Sequence, residues 1–359
     1  MTDDFAPGER ARAVARAILS DVLRGKRAFD AVLEEQLEAA HLEPRDAGFA
    51  RAIAGETLRR MGQLSDLIRE FVPKAPPPHK AGPTLEILLL GACELLFLNV
   101  PAHAAVDGAN RLAASDFRAV HVKGLINAVL RRVSREGADV VARQDADNLN
   151  TPDWLWDKWS AIYGEETAHA IAQAHVQTPP LDIIFKGAEG MADVPDAVSL
   201  LPGTFRLQKA GRVDALPGYA AGNWWVQDVA ASLPVRLFGD VANKAAIDLC
   251  AAPGGKTLQL AALAARVTAV ELAADRMNYV KENLARVKLS AELVVSDARD
   301  YRPREPVPCV LLDAPCTATG TIRRHPDLPL NKNAGDVRAL TFLQSELLDR
   351  KITRLNSSH

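Results

Sequence analysis

Apolar residues in the first part of the chain recur at the spacing of a helix. Val14, Ile18 and Val22 follow one another at intervals of four, and Phe49 and Ile53 repeat that interval. Residues spaced in this way lie on one face of an α-helix, which can pack against a neighbouring element. No alternation typical of strands occurs before about residue 138. The pattern therefore predicts an all-helical domain over residues 1–142.

Local signals divide this helical part. Asp46 and Thr84 stand before apolar runs, where a side-chain oxygen can accept from the first turn of a helix, so both are candidate N-caps. The proline-rich stretch 73–83 predicts a linker. Three further helices are predicted from the periodicity: Leu85–Leu98, Ala104–Ala114 and Val120–Val133.

The pattern changes in the second half of the chain. From about residue 218, short apolar runs alternate with helix-like segments, which predicts a parallel, doubly wound sheet whose ligand site lies at the carboxyl ends of the strands. Four strands are predicted there: Ala245–Leu249, Val267–Glu271, Glu292–Val295 and Val307–Leu312. Residues 143–217 combine tryptophans with β-like runs at 181–186 and 204–208, which predicts a small α+β connecting module.

Composition narrows the possible classes of protein. The chain has 359 residues, 48% hydrophobic residues and a net charge of −2, so nucleic-acid binding would need local basic patches. Its four cysteines show no paired spacing, so we expect neither a disulfide scaffold nor a metal site. The start of the chain lacks a signal-peptide pattern, and the run from Leu85 to Val100 is too short to span a bilayer. A cytoplasmic protein without membrane contact is expected.

A glycine turn marks the candidate site. Gly254 and Gly255 lie between the strand that ends at Leu249 and a helix-like run, so the backbone can approach a ligand and direct helix N–H groups towards it. The spacing matches neither a phosphate loop nor a dinucleotide fingerprint. Acidic residues stand at the ends of four successive strands, which favours a nucleotide-like cofactor over a plain connection: Asp248, Glu271, Asp297 and Asp313.

These motifs support a resemblance that extends over nearly the whole chain. The sequences DLCAAPGGKT from Asp248, DAPCTATGTIRRHPD from Asp313 and VQDVAA from Val226 resemble the Sun/RsmB family of S-adenosylmethionine-dependent RNA cytosine-5 methyltransferases. In the helical part, DAGFAR from Asp46, PAHAAV from Pro101 and GLINAVLR from Gly124 resemble the NusB-type RNA-binding domain of such enzymes.

The resemblance implies an organisation and a cofactor. It implies a NusB-like domain at 1–142, an α+β module at 143–217 and a Rossmann-like methyltransferase domain at 218–350, with 16S ribosomal RNA as partner. The oligomeric state is left open. S-adenosylmethionine is the implied cofactor, held by the strand-end acids Glu271, Asp297 and Asp313 and by the loop Cys250, Ala251, Ala252, Pro253, Gly254, Gly255 and Lys256.

The resemblance also implies covalent catalysis. Cytosine C5 is a poor nucleophile until a thiolate adds to C6. In the RNA family a Thr-Cys motif on a later strand supplies that thiolate and the Pro-Cys cysteine, here Cys316, assists product release, with Asp313 orienting the cytosine or the cofactor. DNA cytosine-5 methyltransferases instead use the Pro-Cys cysteine as nucleophile, so both roles stay open for Cys316. The remaining cysteines, Cys93, Cys250 and Cys309, are expected to serve packing or backbone roles.

The chain departs from the family after Cys316. No Thr-Cys motif follows, and residues 351–359 are polar. We expect a truncated reading frame with a non-native tail at 351–359, whose sheet lacks the last three strands of the family order 3-2-1-4-5-7-6. A non-catalytic RNA-binding fragment is therefore the alternative to an active methyltransferase.

Basic and aromatic residues give weaker indications of RNA contacts. Arg323 and Arg324 follow the Pro-Cys motif and are expected to contact RNA phosphate. Arg131 and Arg132 are either RNA contacts or charges that complement the dipole at the end of a helix. The tryptophans are expected to pack in the core, with Trp225 kept as a candidate for base stacking.

Overall fold

The computed structural model describes residues 8–74, 76–187, 194, 196–208 and 211–355. The backbone divides into two compact units, the first formed by residues 1–178 with 317–334 and the second by residues 179–316 with 335–359. The predicted module 143–217 therefore contributes helices to the first unit and strands to the second. The three-part division of the chain stays a prediction.

The first unit is helical over its described residues, as the periodicity predicts. None of the described helices in the chain has the length and apolar character needed to cross a lipid bilayer. The helices before residue 178 are α1 Glu9–Gly25, α2 Phe29–Ala40, α3 Pro44–Arg59, α4 Met61–Phe71, α5 Pro78–Ala81, α6 Thr84–Leu96, α7 Ala102–Ala114, α8 Lys123–Arg143, α9 Ala146–Leu149, α10 Asp153–Tyr163 and α11 Glu165–His175.

Helix α6 is the centre of this unit. Ten of its residues, from Thr84 to Glu94, are buried, as expected for a helix that is apolar on nearly every side. One face packs against α4, α7 and α8, and Leu90 on another face joins the core of α1, α2 and α3. Val14, Ile18 and Val22 lie in that second core, so the predicted face of α1 is confirmed.

Two predicted helix caps are wrong. Helix α3 begins at Pro44 with Glu43 as its N-cap, so Asp46 lies inside the first turn, where its charge still favours the helix dipole. Helix α6 has Pro83 as its N-cap, and the Thr84 hydroxyl donates to the carbonyl of Ala81 at 2.6 Å. Both prolines fix the backbone at the point where the helix begins, which displaces the cap from the predicted residue.

Helix α8 is longer than its predicted range. A 3₁₀ turn at Ala119–Val122 precedes it, and the helix then continues to Arg143. Inside the helix, a Cβ atom at Gly137 would lie 3.2 Å from the Leu96 side chain of α6. The glycine therefore permits close packing of α8 on α6 and does not end the helix.

The second unit begins with a small antiparallel sheet. Its four strands, in the order β2-β3-β1-β4, are β1 Leu181–Phe185, β2 Ala197–Leu201, β3 Thr204–Leu207 and β4 Trp224–Val226. Asp182 on β1 is fully buried, accepts two hydrogen bonds from Arg206 at 2.7 and 2.8 Å, and accepts a third from the Val229 N–H. These bonds satisfy a carboxylate that would otherwise be costly to bury.

The parallel sheet follows and confirms the predicted fold class. Its strands run in the order β7-β6-β5-β8 and are β5 Ala245–Leu249, β6 Arg266–Glu271, β7 Glu292–Val295 and β8 Cys309–Leu312. This order equals the first four positions of the family order. The helices of this unit are α12 Val229–Arg236, α13 Gly255–Ala262, α14 Ala274–Val287 and, after α15 Leu328–Asn331 of the first unit, α16 Ala334–Leu355. The predicted tail 351–359 continues α16 to Leu355, and its last four residues lie outside the described residues.

A buried ion pair holds α1 to α6 and yields the first prediction. Arg12 donates to both carboxylate oxygens of Glu94, at 2.9 and 3.0 Å from Nε, and both side chains are buried. Burial raises the pKa of Glu94, which shows that the carboxylate depends on its partner.

Arg12→Ala leaves that carboxylate buried without its partner. We expect the free energy of unfolding of the helical unit to fall by about 3–5 kcal/mol. Urea unfolding followed by far-ultraviolet circular dichroism measures the change. Arg111→Ala, which removes an exposed ion pair with Asp107 on α7, is the control and should leave the transition almost unchanged. Equal effects of the two substitutions would contradict this account of the core.

Candidate active site

The glycine loop connects β5 to α13. Gly254 is the N-cap of α13 with a φ of 108°, a conformation that side chains on L-residues strongly disfavour. A Cβ atom at Gly254 would also lie 3.3 Å from the Cα of Val280, and the Gly254 N–H donates to the Ala251 carbonyl at 2.8 Å. The turn therefore requires glycine for its backbone conformation and for its close approach to α14.

Neighbouring strands and helices hold the loop in place. The Ala251 N–H donates to the Val270 carbonyl of β6 at 3.1 Å, and the Ala252 N–H donates to Glu271 Oε2 at 3.1 Å. Asn283 of α14 donates to the Pro253 carbonyl at 3.1 Å. The loop that the sequence predicts as the cofactor loop is thus fixed before any ligand binds.

Glu271 lies at the end of β6, as predicted, and its carboxylate is buried. Its Oε1 accepts from the N–H groups of Leu272 and Ala273, while Oε2 accepts from Ala252. Arg276 of α14 also lies 3.5 Å from Oε1, so the side chain holds both the loop and the start of α14. Its predicted contact with the cofactor stays a prediction.

Asp248 combines burial with an unmet hydrogen-bond capacity. Its Oδ2 accepts from the Thr257 hydroxyl at 2.6 Å, but its Oδ1 is buried without any hydrogen-bond partner. Burial above all raises the pKa of Asp248 to about 6; the charges of Asp313 and Glu271 act in the same direction, and the Thr257 hydrogen bond and the Lys256 charge act against it. The sequence places Asp248 at a strand end, but it gives no sign of this incomplete bonding.

Lys256 connects the glycine loop to the Pro-Cys turn. Its Nζ lies 2.6 Å from Asp313 Oδ2, and the Asp313 N–H donates to the Leu249 carbonyl at 3.3 Å. Gln344 of α16 donates to the Pro315 carbonyl at 2.8 Å, which fixes the turn next to Cys316. Two of the predicted site residues therefore meet directly, and a third is next to an anchored peptide group.

Asp297 lies in the turn after β7. Its carboxylate accepts from the N–H, Nε and Nη2 of Arg299, and Arg299 also donates to Glu346 of α16 at 2.9 Å. The resemblance implies that Asp297 holds the cofactor, and Arg299 is the partner that the structure gives it. The contact with the cofactor stays a prediction.

The four cysteines differ in exposure. Cys93 and Cys309 are buried in the cores of their units, as predicted, and burial raises the pKa of Cys93 to about 12. Burial and the charges of Glu271, Asp248 and Asp313 raise the pKa of Cys250 to about 11, so its thiol stays protonated. Cys316 is the exposed cysteine. Because the thiolate is the nucleophile, Cys316 is the cysteine suited to covalent chemistry.

Two predictions about basic and aromatic residues need correction. Arg131 and Arg132 lie in the middle of α8, so they do not complement the dipole at its end; Arg132 instead pairs with Glu136 at 2.7 Å. The RNA contact of these two arginines stays a prediction. Trp225 is buried, and its indole N–H donates to Gln227 at 2.8 Å, so it is not available for base stacking.

The glycine requirement of the loop yields a prediction. Gly254→Ala places a methyl group in a conformation with positive φ and against Val280, so we expect a loss of about 1–3 kcal/mol in unfolding free energy and loss of ligand binding at the loop. Gly239→Ala is the matched control, because Gly239 also has a positive φ, of 65°, but no atom lies within 4 Å of its added Cβ. Chemical denaturation measures the unfolding free energy of both variants, and Gly239→Ala should lose less than Gly254→Ala. A harmless Gly254→Ala would refute the steric argument.

Comparisons with known proteins give matches to both halves of the chain. Residues 237–358 match the family model described as 16S rRNA methyltransferase RsmB/F, and residues 9–135 match the NusB family model. Ribosomal RNA small subunit methyltransferase B of Pseudomonas putida is 36% identical over 94% of this chain and 80% of its own length. The protein of the same name from Vibrio cholerae is 34% identical over 88% of this chain and 77% of its own length.

A solved structure supports the fold. The crystal structure of PH0851 covers 96% of this chain and 83% of its own, with a TM-score of 0.75 and 21% sequence identity. The likeness thus extends over both units of the chain. The two family models and the curated relatives lead to one conclusion: the chain belongs to the RsmB/F family of 16S rRNA methyltransferases and carries a NusB-type domain at its N-terminal end.

Proposed function

We propose that this protein transfers a methyl group from S-adenosylmethionine to C5 of a cytosine in 16S ribosomal RNA, in the cytoplasm, through a covalent bond between a cysteine and C6. The observation that carries the proposal is the salt bridge between Lys256 and Asp313. It joins the glycine loop to the Pro-Cys turn that bears the exposed Cys316. A cofactor loop and a thiol on adjacent parallel strands are what a methyl transfer to a pyrimidine ring requires.

The residues at the glycine loop fit S-adenosylmethionine. The first turn of α13 offers backbone N–H groups without acceptors inside the helix, and the unpartnered Oδ1 of Asp248 can accept from a polar group. Carboxylates at the carboxyl ends of β5 and β6 favour a cation. Cys250 to Lys256, with Glu271, Asp297 and Asp313, would hold the cofactor. When bound, S-adenosylmethionine supplies an electrophilic methyl group.

The chain's own residues would activate the cytosine. A thiolate bonded to C6 raises the electron density at C5, so that C5 can take the methyl group; loss of the C5 proton then restores the double bond and releases the thiolate. Cys316 is the exposed thiol for this chemistry. Asp313, held by Lys256, would orient the ring beside it. The target cytosine must leave its stack to reach these groups.

A second function has one observation in its favour. Residues 317–359 contain no cysteine, so the Thr-Cys nucleophile of the family does not follow Cys316 in this chain. If Cys316 serves only in product release, the chain binds RNA without forming an adduct. Both the methyltransferase and the RNA-binding protein would use the helical domain for RNA.

Trapping with RNA that contains 5-fluorocytosine separates these functions. Fluorine at C5 blocks the final elimination, so a cysteine that attacks C6 stays attached to the RNA. We expect a denaturation-resistant adduct that Cys316→Ala abolishes and the control Cys93→Ala, buried in the helical unit, retains. An adduct that survives Cys316→Ala would assign the attack on C6 to another cysteine of the chain. A wild-type chain that binds RNA without any adduct would favour the RNA-binding alternative.

The raised pKa of Asp248 predicts a pH dependence of cofactor binding. Above its pKa of about 6 the carboxylate is ionised and attracts the sulfonium charge; below it the group is neutral and the attraction is lost. We expect the dissociation constant for S-adenosylmethionine to rise by up to about tenfold between about pH 7 and about pH 5. Titration calorimetry measures it, with uncharged S-adenosylhomocysteine as the matched ligand. The same pH dependence for both ligands would contradict this role of Asp248.

A further inference from the structure

The segment Thr317–Ala334 belongs to the helical unit and not to the methyltransferase unit. The chain leaves the second unit after Cys316 and returns to it at Gly335. Arg323 follows Cys316 by seven residues, so it lies within about 25 Å of the thiol even in a fully extended chain. The stretch of chain that begins directly after the exposed cysteine therefore packs with residues of the helical unit.

Two polar contacts of the segment involve the stretch that bears its arginines. Arg59 of α3 donates from Nη2 to the backbone carbonyl of Arg323 at 3.3 Å. His325 Nδ1 lies 2.8 Å from Asp30 Oδ2 of α2, and that hydrogen bond raises the pKa of His325. Each contact spans more than 260 residues of sequence, and the two enclose Arg324 between them.

The end of the segment is anchored as well. Lys26 donates from Nζ to the Leu330 carbonyl at 3.1 Å, and Asn331 donates from Nδ2 to the Arg27 carbonyl at 3.2 Å. The first bond holds the main chain of the segment at Leu330, and the second holds it through the side chain of Asn331.

Apolar packing completes the attachment. Ile322 is buried in a cluster with Leu155 and Trp159, next to Arg323 in sequence. Leu330 packs against the core of α1, α2 and α3. The arginines thus lie between two apolar anchors, and their backbone has little freedom to move relative to the helical unit.

We propose that Arg59 and Asp30 are positioning residues, which hold Thr317–Ala334 so that Arg323 and Arg324 engage the RNA substrate. This inference rests on the proposed function for its substrate. Neither Arg59 nor Asp30 touches the reacting atoms. A misplacement of about 1 Å can cost about a hundredfold in rate, so anchoring of this segment affects the reaction as well as the stability.

The test uses the full chain and three readouts. Asp30→Ala removes the contact to His325, and Arg59→Ala removes the bond to the Arg323 carbonyl, which Arg59→Lys can restore because lysine also donates. Asp107→Ala is the control, since it breaks an exposed ion pair of similar kind on α7. Amide hydrogen exchange reports the mobility of 317–334, anisotropy with a labelled 16S RNA fragment reports RNA affinity, and methyl-transfer kinetics report KM and kcat.

We expect faster exchange in 317–334 for Asp30→Ala and Arg59→Ala, together with a rise of about three- to tenfold in the RNA dissociation constant and KM. The affinity for S-adenosylmethionine should not change. Arg59→Lys should recover RNA affinity, and Asp107→Ala should behave as the wild type.

Two outcomes overturn the proposal. Unchanged exchange would mean that these residues do not hold the segment, and faster exchange with unchanged RNA affinity would mean that they serve stability alone. A wild-type chain without methyl transfer would contradict the proposed function instead. If the wild type transfers no methyl group, the RNA affinity of Asp30→Ala and Arg59→Ala still tests the positioning role.

Discussion

The parallel alignment of β5 with β6 and β8 is the constraint on which the rest of the site depends. It brings Asp248, Glu271 and Asp313 to one edge of the sheet, because parallel strands end together. The loop after β5 then takes its shape from those same strand ends: Ala251 bonds to the backbone of β6 and Ala252 to Glu271. One carboxylate thus closes the turn that a cofactor would occupy, so the arrangement of the sheet and the shape of the site cannot vary independently.

The meeting of Asp248, Glu271 and Asp313 at one edge of the sheet also places like charges close together. Burial, together with the charges of Asp313 and Glu271, raises the pKa of Asp248 to about 6. Lys256 offsets part of this charge through its bond to Asp313. A cationic ligand would offset more. Burial and the charges of the three carboxylates also raise the pKa of Cys250 to about 11, so its thiol stays protonated. The thiol chemistry is therefore expected at Cys316 and not in the cofactor loop.

The sequence predicts those parts of the fold that depend on local patterns. Ala245–Leu249 is a largely apolar run preceded by Asn243 and Lys244, and its predicted limits are those of the strand. Strand β4 is missed because its three residues, Trp224–Val226, are too few to show a period. The strand-end acids can be predicted from their positions, but their partners cannot, since the bond between Glu271 and Ala252 depends on the register of two strands. The sequence also cannot predict that Asp248 Oδ1 is buried without a hydrogen-bond partner, because this depends on the folded loop.

The segment after Cys316 is the part that local sequence describes least. Its motif indicates RNA contact through charge alone, whereas the contacts that fix its path come from Asp30 and Arg59, nearly the length of the chain away. Single contacts between residues so far apart in the chain produce no periodicity or composition that the local sequence could show. Through these bonds the helical unit determines where the backbone of Arg323 and Arg324 lies. A domain that resembles an RNA-binding domain is therefore also the scaffold of the segment that bears Arg323 and Arg324.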